Sequence, residues 1–255
     1  MPKVLLIQPS QYLTNGDIVK QKKLYLPGLV FPLLAAMVPS NWETEVKLEV
    51  IDDIDFDSDA DIIGIGAMGH SIYRAYDIAK EFRKRGKTVF MGGYMASMIP
   101  EVTLKYVDSI VIGDAEISFP KLLSDFEKTG QIDRIYHNPV KNLNNLPLPR
   151  YELLTEKSIG DMLPVQAGRG CNHTCSFCSI ACLYKGRHMS RPVDEVIRDI
   201  KKIKSMGYNK FYMIDDNILN SPSYLKDLCS AILPLKMKWS SQCTMNIARN
   251  EPLLK

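Results

Sequence analysis

Strand and helix signals alternate along almost all of this 255-residue chain, which predicts an α/β protein: a doubly wound parallel sheet, then a second run of parallel strand and helix units. Three observations carry that expectation. Short apolar runs recur between amphipathic stretches, the signature of βαβ units rather than hairpins. The alternation breaks once, where asparagine and proline are dense around residues 142–150. It then resumes with a glycine- and cysteine-rich loop set between a strand and a helix.

Taken in order, strands are expected over residues 4–8, 48–51, 61–66, 88–92 and 109–113. Between the third and fourth, Ser71 is placed to cap a helix whose Ile72, Ala75, Ile78, Ala79 and Phe82 share one face, and Gly86 follows as a stop. Five such strands with helices on both faces make a doubly wound sheet, which binds ligands at the carboxyl ends of its strands. Those ends carry Gln8-Pro9-Ser10, Gly66-Ala67-Met68-Gly69-His70, Gly92-Gly93-Tyr94 and Gly113-Asp114-Ala115-Glu116. Small residues at several tips let a backbone approach a bulky ligand closely, while ordinary turn chemistry accounts for the same residues without one. Gly64, Gly66 and Gly69 also fit GxGxxG spacing. They follow the third strand, however, and the next strand ends in Met91-Gly92-Gly93 rather than an acidic residue, so a nicotinamide dinucleotide is not expected there.

After a helix around 119–126, residues 132–154 read as extended, because the prolines of Leu146-Pro-Leu-Pro-Arg150 remove donors and hold the chain out of helix. The expected organisation is a ligand-binding α/β domain over 1–130, a linker over 131–160 and a second unit over 161–255. In the second unit a strand is expected over 163–167, followed by the cysteine loop. A helix then opens at Pro192, with Val193, Val196, Ile197, Ile200 and Ile203 on one face, and ends before Gly207. A strand over 210–214, a helix over 224–232 and a strand over 239–244 complete it.

Composition sets outer bounds. With 45% hydrophobic and 24% charged residues the chain reads as an ordinary globular protein. A net charge of +3, scattered over amphipathic segments, does not call for a nucleic-acid partner. The start, Met1-Pro-Lys-Val-Leu-Leu-Ile, lacks the layout of a secretory signal. The most apolar stretch, 26–38, is broken by Pro27, Gly28 and Pro32 and is too short for a membrane span. A cytoplasmic protein is expected, in which six cysteines serve as metal ligands or buried small side chains rather than disulfides.

Three of those cysteines stand together in Gly170-Cys-Asn-His-Thr-Cys-Ser-Phe-Cys178. Cys171, Cys175 and Cys178, separated by three and two residues, can wrap one iron–sulfur cubane and leave its fourth iron open, and an open metal position points to chemistry. Gly168 and Gly170 flank Arg169 and let the chain turn tightly there. Two other sites use the same residues: zinc, with Cys182, His173 or His188 as fourth ligand, and a closed four-cysteine electron-transfer cluster that adds Cys182. Cys229 and Cys243 fall in a predicted helix and strand and are expected in the core.

The CxxxCxxC spacing with aromatic Phe177 before the last cysteine resembles the radical S-adenosylmethionine (SAM) superfamily. The segment from Gly186 to Pro192, with Ser190-Arg191-Pro192 at its end, and the linker at Arg150 resemble the class with an N-terminal cobalamin-binding domain, over essentially the whole chain. The resemblance implies a flavodoxin-like or Rossmann-like first domain and the first half of a partial (β/α)6 barrel. It implies a 4Fe–4S cluster on the three cysteines, whose open iron is chelated by SAM. It also implies that Phe177 and Asp215-Asp216-Asn217 contact SAM, and that an electron passed through the cluster yields a 5′-deoxyadenosyl radical. Cobalamin is implied at Gln8, Gly66, Gly69, His70, Gly92, Gly93, Gly113 and Glu116, although the Asp-x-His-x-x-Gly motif that supplies a lower cobalt ligand is absent from this domain.

The activity so implied is methyl transfer to, or rearrangement of, an unactivated carbon in a small-molecule or lipid-like substrate, fed by an electron donor such as flavodoxin or ferredoxin. The class of methylthiotransferases fits less well, because those proteins carry further cysteines before the cluster loop and this chain has none before Cys171. The second unit is expected to hold only three strands, so the chain reads as a fragment of a longer frame or as a cofactor-binding module whose barrel a second polypeptide completes, with weak or absent turnover alone.

Overall fold

A computed structural model describes residues 1–251. The chain forms two compact units, residues 1–24 with 31–140, and residues 25–30 with 141 onward.

The first unit contains β1 (Lys3–Gln8), α1 (Val30–Ala35), β2 (Glu43–Leu48), β3 (Ile62–Gly66), α2 (Ser71–Lys84), β4 (Thr88–Gly92), α3 (Tyr94–Met98), α4 (Pro100–Thr103), β5 (Ser109–Val111), α5 (Ser118–Thr129) and β6 (Ile135–Tyr136). All six strands are parallel, in the order β2-β1-β3-β4-β5-β6. This is the flavodoxin-like order, whose topological switch falls between β1 and β3. The expected doubly wound fold is therefore present, with one more strand than the apolar runs announce.

β1 shows why the sheet forms. Val4, Leu5, Leu6 and Ile7 are all buried, as a central parallel strand covered on both faces requires. Leu5 and Ile7 join Ile63, Ile65, Val89 and Met91 against Ile72, Ala75, Tyr76, Ile78, Ala79 and Phe82 of α2. Phe90, pointing the other way, meets Phe119 of α5 with ring centroids 5.7 Å apart. Phe82 is fully buried, and its truncation to alanine would cost about 3–5 kcal/mol. α2 stops at Gly86, whose φ of 75° only glycine adopts freely. Ser71 is not the cap but the first helical residue, and its hydroxyl bonds back to Met68 while His70 takes the cap position without a side-chain bond.

Gly64 has a packing reason. A Cβ there would lie 2.4 Å from Phe90 Cζ and 2.8 Å from Leu6 Cδ2, so the first glycine of the GxGxxG pattern makes room for a ring. Two strands depart from expectation. β2 runs over Glu43–Leu48 instead of 48–51. Its Glu-Thr-Glu-Val-Lys-Leu alternates as an edge strand does, with only Val46 and Leu48 buried. β6 pairs with β5 inside the stretch read as linker.

The second unit contains α6 (Glu152–Thr155), β7 (Leu163–Val165), β8 (Gly168–Gly170), α7 (Ser179–Tyr184), β9 (His188–Ser190), α8 (Val193–Ser205), β10 (Lys210–Met213), α9 (Pro222–Ile232) and β11 (Lys238–Ser240). β11, β10 and β7 form a parallel sheet in that order, while β8 and β9 pair as an antiparallel ribbon that the sequence does not announce. α8 buries Val196, Ile200 and Ile203 as expected, and Asp199 with them. That carboxylate is compensated by buried Arg191, whose Nη1 donates to Asp199 Oδ2 at 2.9 Å and to the Gln166 carbonyl at 2.9 Å. Residues 25–30 lie in this unit too: the Tyr212 hydroxyl donates to the Pro27 carbonyl, and Gly160 leaves space for the Tyr25 carbonyl, 2.2 Å from where its Cβ would stand. Among the described residues no helix is long and apolar enough to cross a membrane.

Candidate metal centre

The cysteine loop leaves β8 and enters α7. Its stem needs glycine twice, for different reasons. Gly170 has φ 84°, and a Cβ there would stand 2.3 Å from the Arg187 carbonyl oxygen on the facing strand side of the ribbon. Gly168 is not left-handed; its missing Cβ instead admits His188 Nε2, 2.5 Å away, and Asp215 Oδ2, 3.1 Å away. Within the loop, Cys178 N donates to the Cys175 carbonyl at 3.0 Å, which makes a turn, and α7 starts from an extended Cys178.

Cys171, Cys175, Cys178 and Cys182 are free thiols, with Cys171 and Cys178 half-buried and Cys175 and Cys182 exposed. Among the described residues no three His, Cys, Asp or Glu side chains converge as a metal-holding group. The loop thus supplies the donors without a closed cage, whether for a cubane or for zinc with Cys182, His173 or His188. Phe177 is 90% exposed beside Cys178. Cys229 is partly buried in α9, where burial pushes its thiol pKa up. Cys243, expected in the core, is exposed, because β11 ends at Ser240 and leaves it beyond the strand.

The carboxyl end of β10 faces this stem. Asp215, 4% exposed, accepts from Ala167 N at 2.8 Å and from the Gly168 N–H. Burial pushes its carboxyl pKa from 3.8 to about 7, against the pull of those two backbone donors and of Arg191. Asp216 is likewise raised by burial and accepts from Gly170 N at 3.0 Å. Buried Asn217 uses Oδ1 to accept from Leu219 N at 3.3 Å and Thr244 N at 3.2 Å. Its Nδ2 lies 3.2 Å from Asn220 Oδ1 and 4.0 Å from Cys171 Sγ. The Tyr224 hydroxyl donates to the Ala167 carbonyl at 3.1 Å, and burial lowers the pKa of His188 across the ribbon.

The fold therefore brings Asp215, Asp216 and Asn217 to the base of the cysteine loop, whereas Phe177 points to solvent. Sequence reading passed over Asn220. It donates from Nδ2 to the Gly170 carbonyl at 3.0 Å and accepts at Oδ1 from Asn172 N at 3.1 Å, while its own carbonyl accepts from Asn172 Nδ2 at 2.9 Å. The available signal was weak: a second asparagine three residues after Asn217 in a segment already singled out.

A second candidate site lies at the strand ends of the first unit, around the β1/β3 switch. Gln8 and Gly66 end their strands half-buried; Gly69, with φ 57°, and His70 are exposed before α2. Gly92 ends β4. Gly93, at φ 89°, brings its backbone within 3.3 Å of Ala67 O measured from an added Cβ. Ser97, also unremarked in the sequence, ties two tips together: its hydroxyl donates to the Gly93 carbonyl at 2.9 Å and accepts from Gly113 N at 2.9 Å. Glu116 lies half-buried just beyond Gly113. On the β1 side, buried Glu49 accepts from Ser10 N at 2.9 Å and from Arg74 at 2.9 and 2.7 Å, pinning the loop that follows Gln8.

Fold and sites together define a two-unit α/β protein with a doubly wound sheet in the first unit and, in the second, a three-stranded parallel sheet with a ribbon from which the three-cysteine loop leaves. Comparison with known proteins gives that class its relatives. No family model matches the chain. An uncharacterized methyltransferase of Synechocystis is 27% identical over 212 residues, 80% of this chain and 39% of the relative. The bacteriochlorophyllide d C-8(2)-methyltransferase of Chlorobaculum tepidum is 34% identical over 169 residues, 64% of this chain and 37% of that protein. Among solved structures, the radical SAM methyltransferase TsrM of Kitasatospora setae, with cobalamin and a 4Fe–4S cluster bound, superposes with TM-score 0.69 at 16% identity over 92% of this chain and 53% of TsrM. By sequence the chain is similar to these methyltransferases, and in fold it is similar to the corresponding part of TsrM. It spans about two fifths of the length of those two relatives and about half of TsrM.

Proposed function

We propose that the chain is the cobalamin-domain and cluster-bearing part of a radical SAM enzyme that transfers a methyl group to, or rearranges, an unactivated carbon of a small or lipid-like molecule. The observation that carries this is the cysteine loop: three free thiols on one short loop whose stem is fixed by β9 and by the end of β10. The donor set fits a 4Fe–4S cluster in number, softness and freedom from disulfides, with Cys171, Cys175 and Cys178 as ligands. When bound, the cluster supplies the electron that cleaves SAM to a 5′-deoxyadenosyl radical, and cobalamin supplies a carrier for the methyl group.

The protein's own part is positioning. Asp215, Asp216 and Asn217 stand at the base of the loop, where an ammonium group meets two carboxyls and an amide, and exposed Phe177 is free to fold over an adenine. In the first unit Gln8, Gly66, Gly69, His70, Gly92, Gly93, Gly113 and Glu116 offer a strand-end surface with little side-chain bulk for a corrin. A flavodoxin or ferredoxin is the fitting electron donor.

A second reading, a cluster- and cobalamin-binding module that turns over only with another chain, is supported by the second sheet having three strands among the described residues. One experiment tests both. The protein is reconstituted anaerobically with iron and sulfide, reduced, and mixed with SAM. The expected result is a SAM-dependent change in the cluster EPR signal that survives Cys182→Ala and is lost in Cys171→Ala. No change in either wild type or Cys182→Ala would overturn the open-iron reading. An EPR change without 5′-deoxyadenosine formation would favour the module.

A further inference from the structure

We propose that Asn220 is a positioning residue that sets the backbone at Cys171, so that the segment after β10 acts as an amide clamp on the cysteine loop. The inference rests on the cluster reading for its purpose but not for its geometry. Asn220 touches both neighbours of Cys171. Its Nδ2 donates to the Gly170 carbonyl at 3.0 Å, its Oδ1 accepts from Asn172 N at 3.1 Å, and its carbonyl accepts from the Asn172 side chain at 2.9 Å.

Both ends of the clamp are themselves anchored. Gly170 N donates to Asp216 Oδ2 at 3.0 Å, so that residue is gripped at its N–H and its C=O by the same segment. Asn217 Nδ2 donates to Asn220 Oδ1 at 3.2 Å and orients the amide, and Asn217 Oδ1 in turn accepts from Thr244 N at 3.2 Å, beyond β11. The network crosses 46 to 50 residues of sequence.

Chemistry explains why an amide stands there. The flanking groups are one carbonyl and one N–H, so the clamp must donate and accept at once, and the amide of asparagine carries a donor and an acceptor side by side on one short planar group. Aspartate keeps the acceptor and loses the donor. The clamp therefore fixes one ligand of three in place, while Cys175, three residues past Asn172 and exposed, has no such bracket from this segment and is left to adjust.

The test uses the full chain and needs no turnover. Apo wild type, Asn220→Ala, Asn220→Asp and Asn220→Gln are treated with iodoacetamide under non-denaturing conditions, and alkylation at each cysteine is followed by peptide mass spectrometry. Wild type should alkylate Cys171 more slowly than exposed Cys175. In Asn220→Ala the Cys171 rate should rise about tenfold relative to Cys175, the factor that corresponds to about 1.4 kcal/mol. Asn220→Asp should fall between, and half-buried Cys229 in α9, the monitor of the unit's integrity, should keep its rate. In parallel, iron retained after reconstitution and desalting should drop in Asn220→Ala.

An unchanged Cys171 to Cys175 ratio in Asn220→Ala overturns the proposal. So does equal acceleration of Cys229 in all three variants, which would make Asn220 a residue of general stability. If wild type binds no iron yet the ratio shifts, the cluster reading fails and the clamp stands.

Discussion

Gly170→Ala separates backbone strain from steric exclusion in the stem of the cysteine loop. A non-glycine residue forced to φ 84° pays about 1–2 kcal/mol for its left-handed backbone. At this position the new Cβ also lands 2.3 Å from the Arg187 carbonyl oxygen and 3.1 Å from Tyr184 Cγ. The first is a backbone atom and cannot rotate away, so the chain at Arg187, just before β9, must shift, an overpacking cost of about 1–3 kcal/mol. Together the loss is about 2–5 kcal/mol. Gly186 is the matched control: its φ is 77°, but the nearest atom to an added Cβ is the Thr174 methyl at 3.3 Å. Gly186→Ala should therefore lose only the strain, about 1–2 kcal/mol. The chain has two tryptophans, Trp42 in the first unit and Trp239 in the second. On a Trp42→Phe background, fluorescence during urea unfolding reports the second unit, and midpoints at unchanged slope give the difference. If Gly170→Ala costs no more than Gly186→Ala, the close approach of β8 to Arg187 is not what makes glycine necessary.

Two further outcomes follow from the same kind of measurement. Gly64→Ala should destabilise the first unit by about 1–3 kcal/mol, read from Trp42 on a Trp239→Phe background. Adding Phe90→Leu should return part of that loss, and strictly additive effects would show that Phe90 is not the atom in the way. Asp215 predicts a pH dependence. Its pKa is raised from 3.8 to about 7 in the folded state, so between those values the folded chain keeps a proton that the unfolded chain has released. Stability from this group is complete below 3.8 and is lost as pH rises through about 7. The second unit of wild type should weaken across that window relative to Asp215→Asn, and parallel stability curves for the two proteins would refute the assignment.

What the sequence made legible follows what each element buries. β1, β3 and β4 are central strands whose apolar runs continue through both faces, and each was placed to within a residue of its ends. β2 alternates charge with apolar residues at the sheet edge and leaves no such run, so its position was misjudged by five residues at its start. The ribbon of β8 and β9 was invisible because its first strand is Gly168-Arg169-Gly170, where the glycines answer to clash and to φ rather than to periodicity. The three cysteines were readable from spacing alone. Their supports were not: Asn220 lies 48 residues from Asn172, and the Glu49 and Arg74 pair is 25 residues apart, so neither falls within any local repeat.

The contrast between stem and loop bears on how the proposed metal site would come to be occupied. Ordering a backbone residue costs about 1–2 kcal/mol, and the residues that carry this cost before any metal arrives are those bonded to the protein: Ala167 and Gly170 through Asp215 and Asp216, and Asn172 through Asn220. From His173 to Phe177 the chain is exposed, and the turn from Cys175 to Cys178 adds a single backbone bond. A loop rigid throughout would need its three thiols already converged, and three unscreened thiolates in contact repel one another. A loop loose throughout would charge the whole ordering cost to metal binding, as in small metal-folded domains. Under the proposed cluster reading the arrangement here lies between the two: the bonds to Gly170 and Asn172 would hold Cys171, and Cys175 and Cys178 would have only a few residues of chain to order on metal binding. Substitutions at Asp215, Asp216 or Asn220 should accordingly weaken retention of iron while leaving all three ligands in the sequence, whereas substitutions at Thr174 or Ser176 should be far milder.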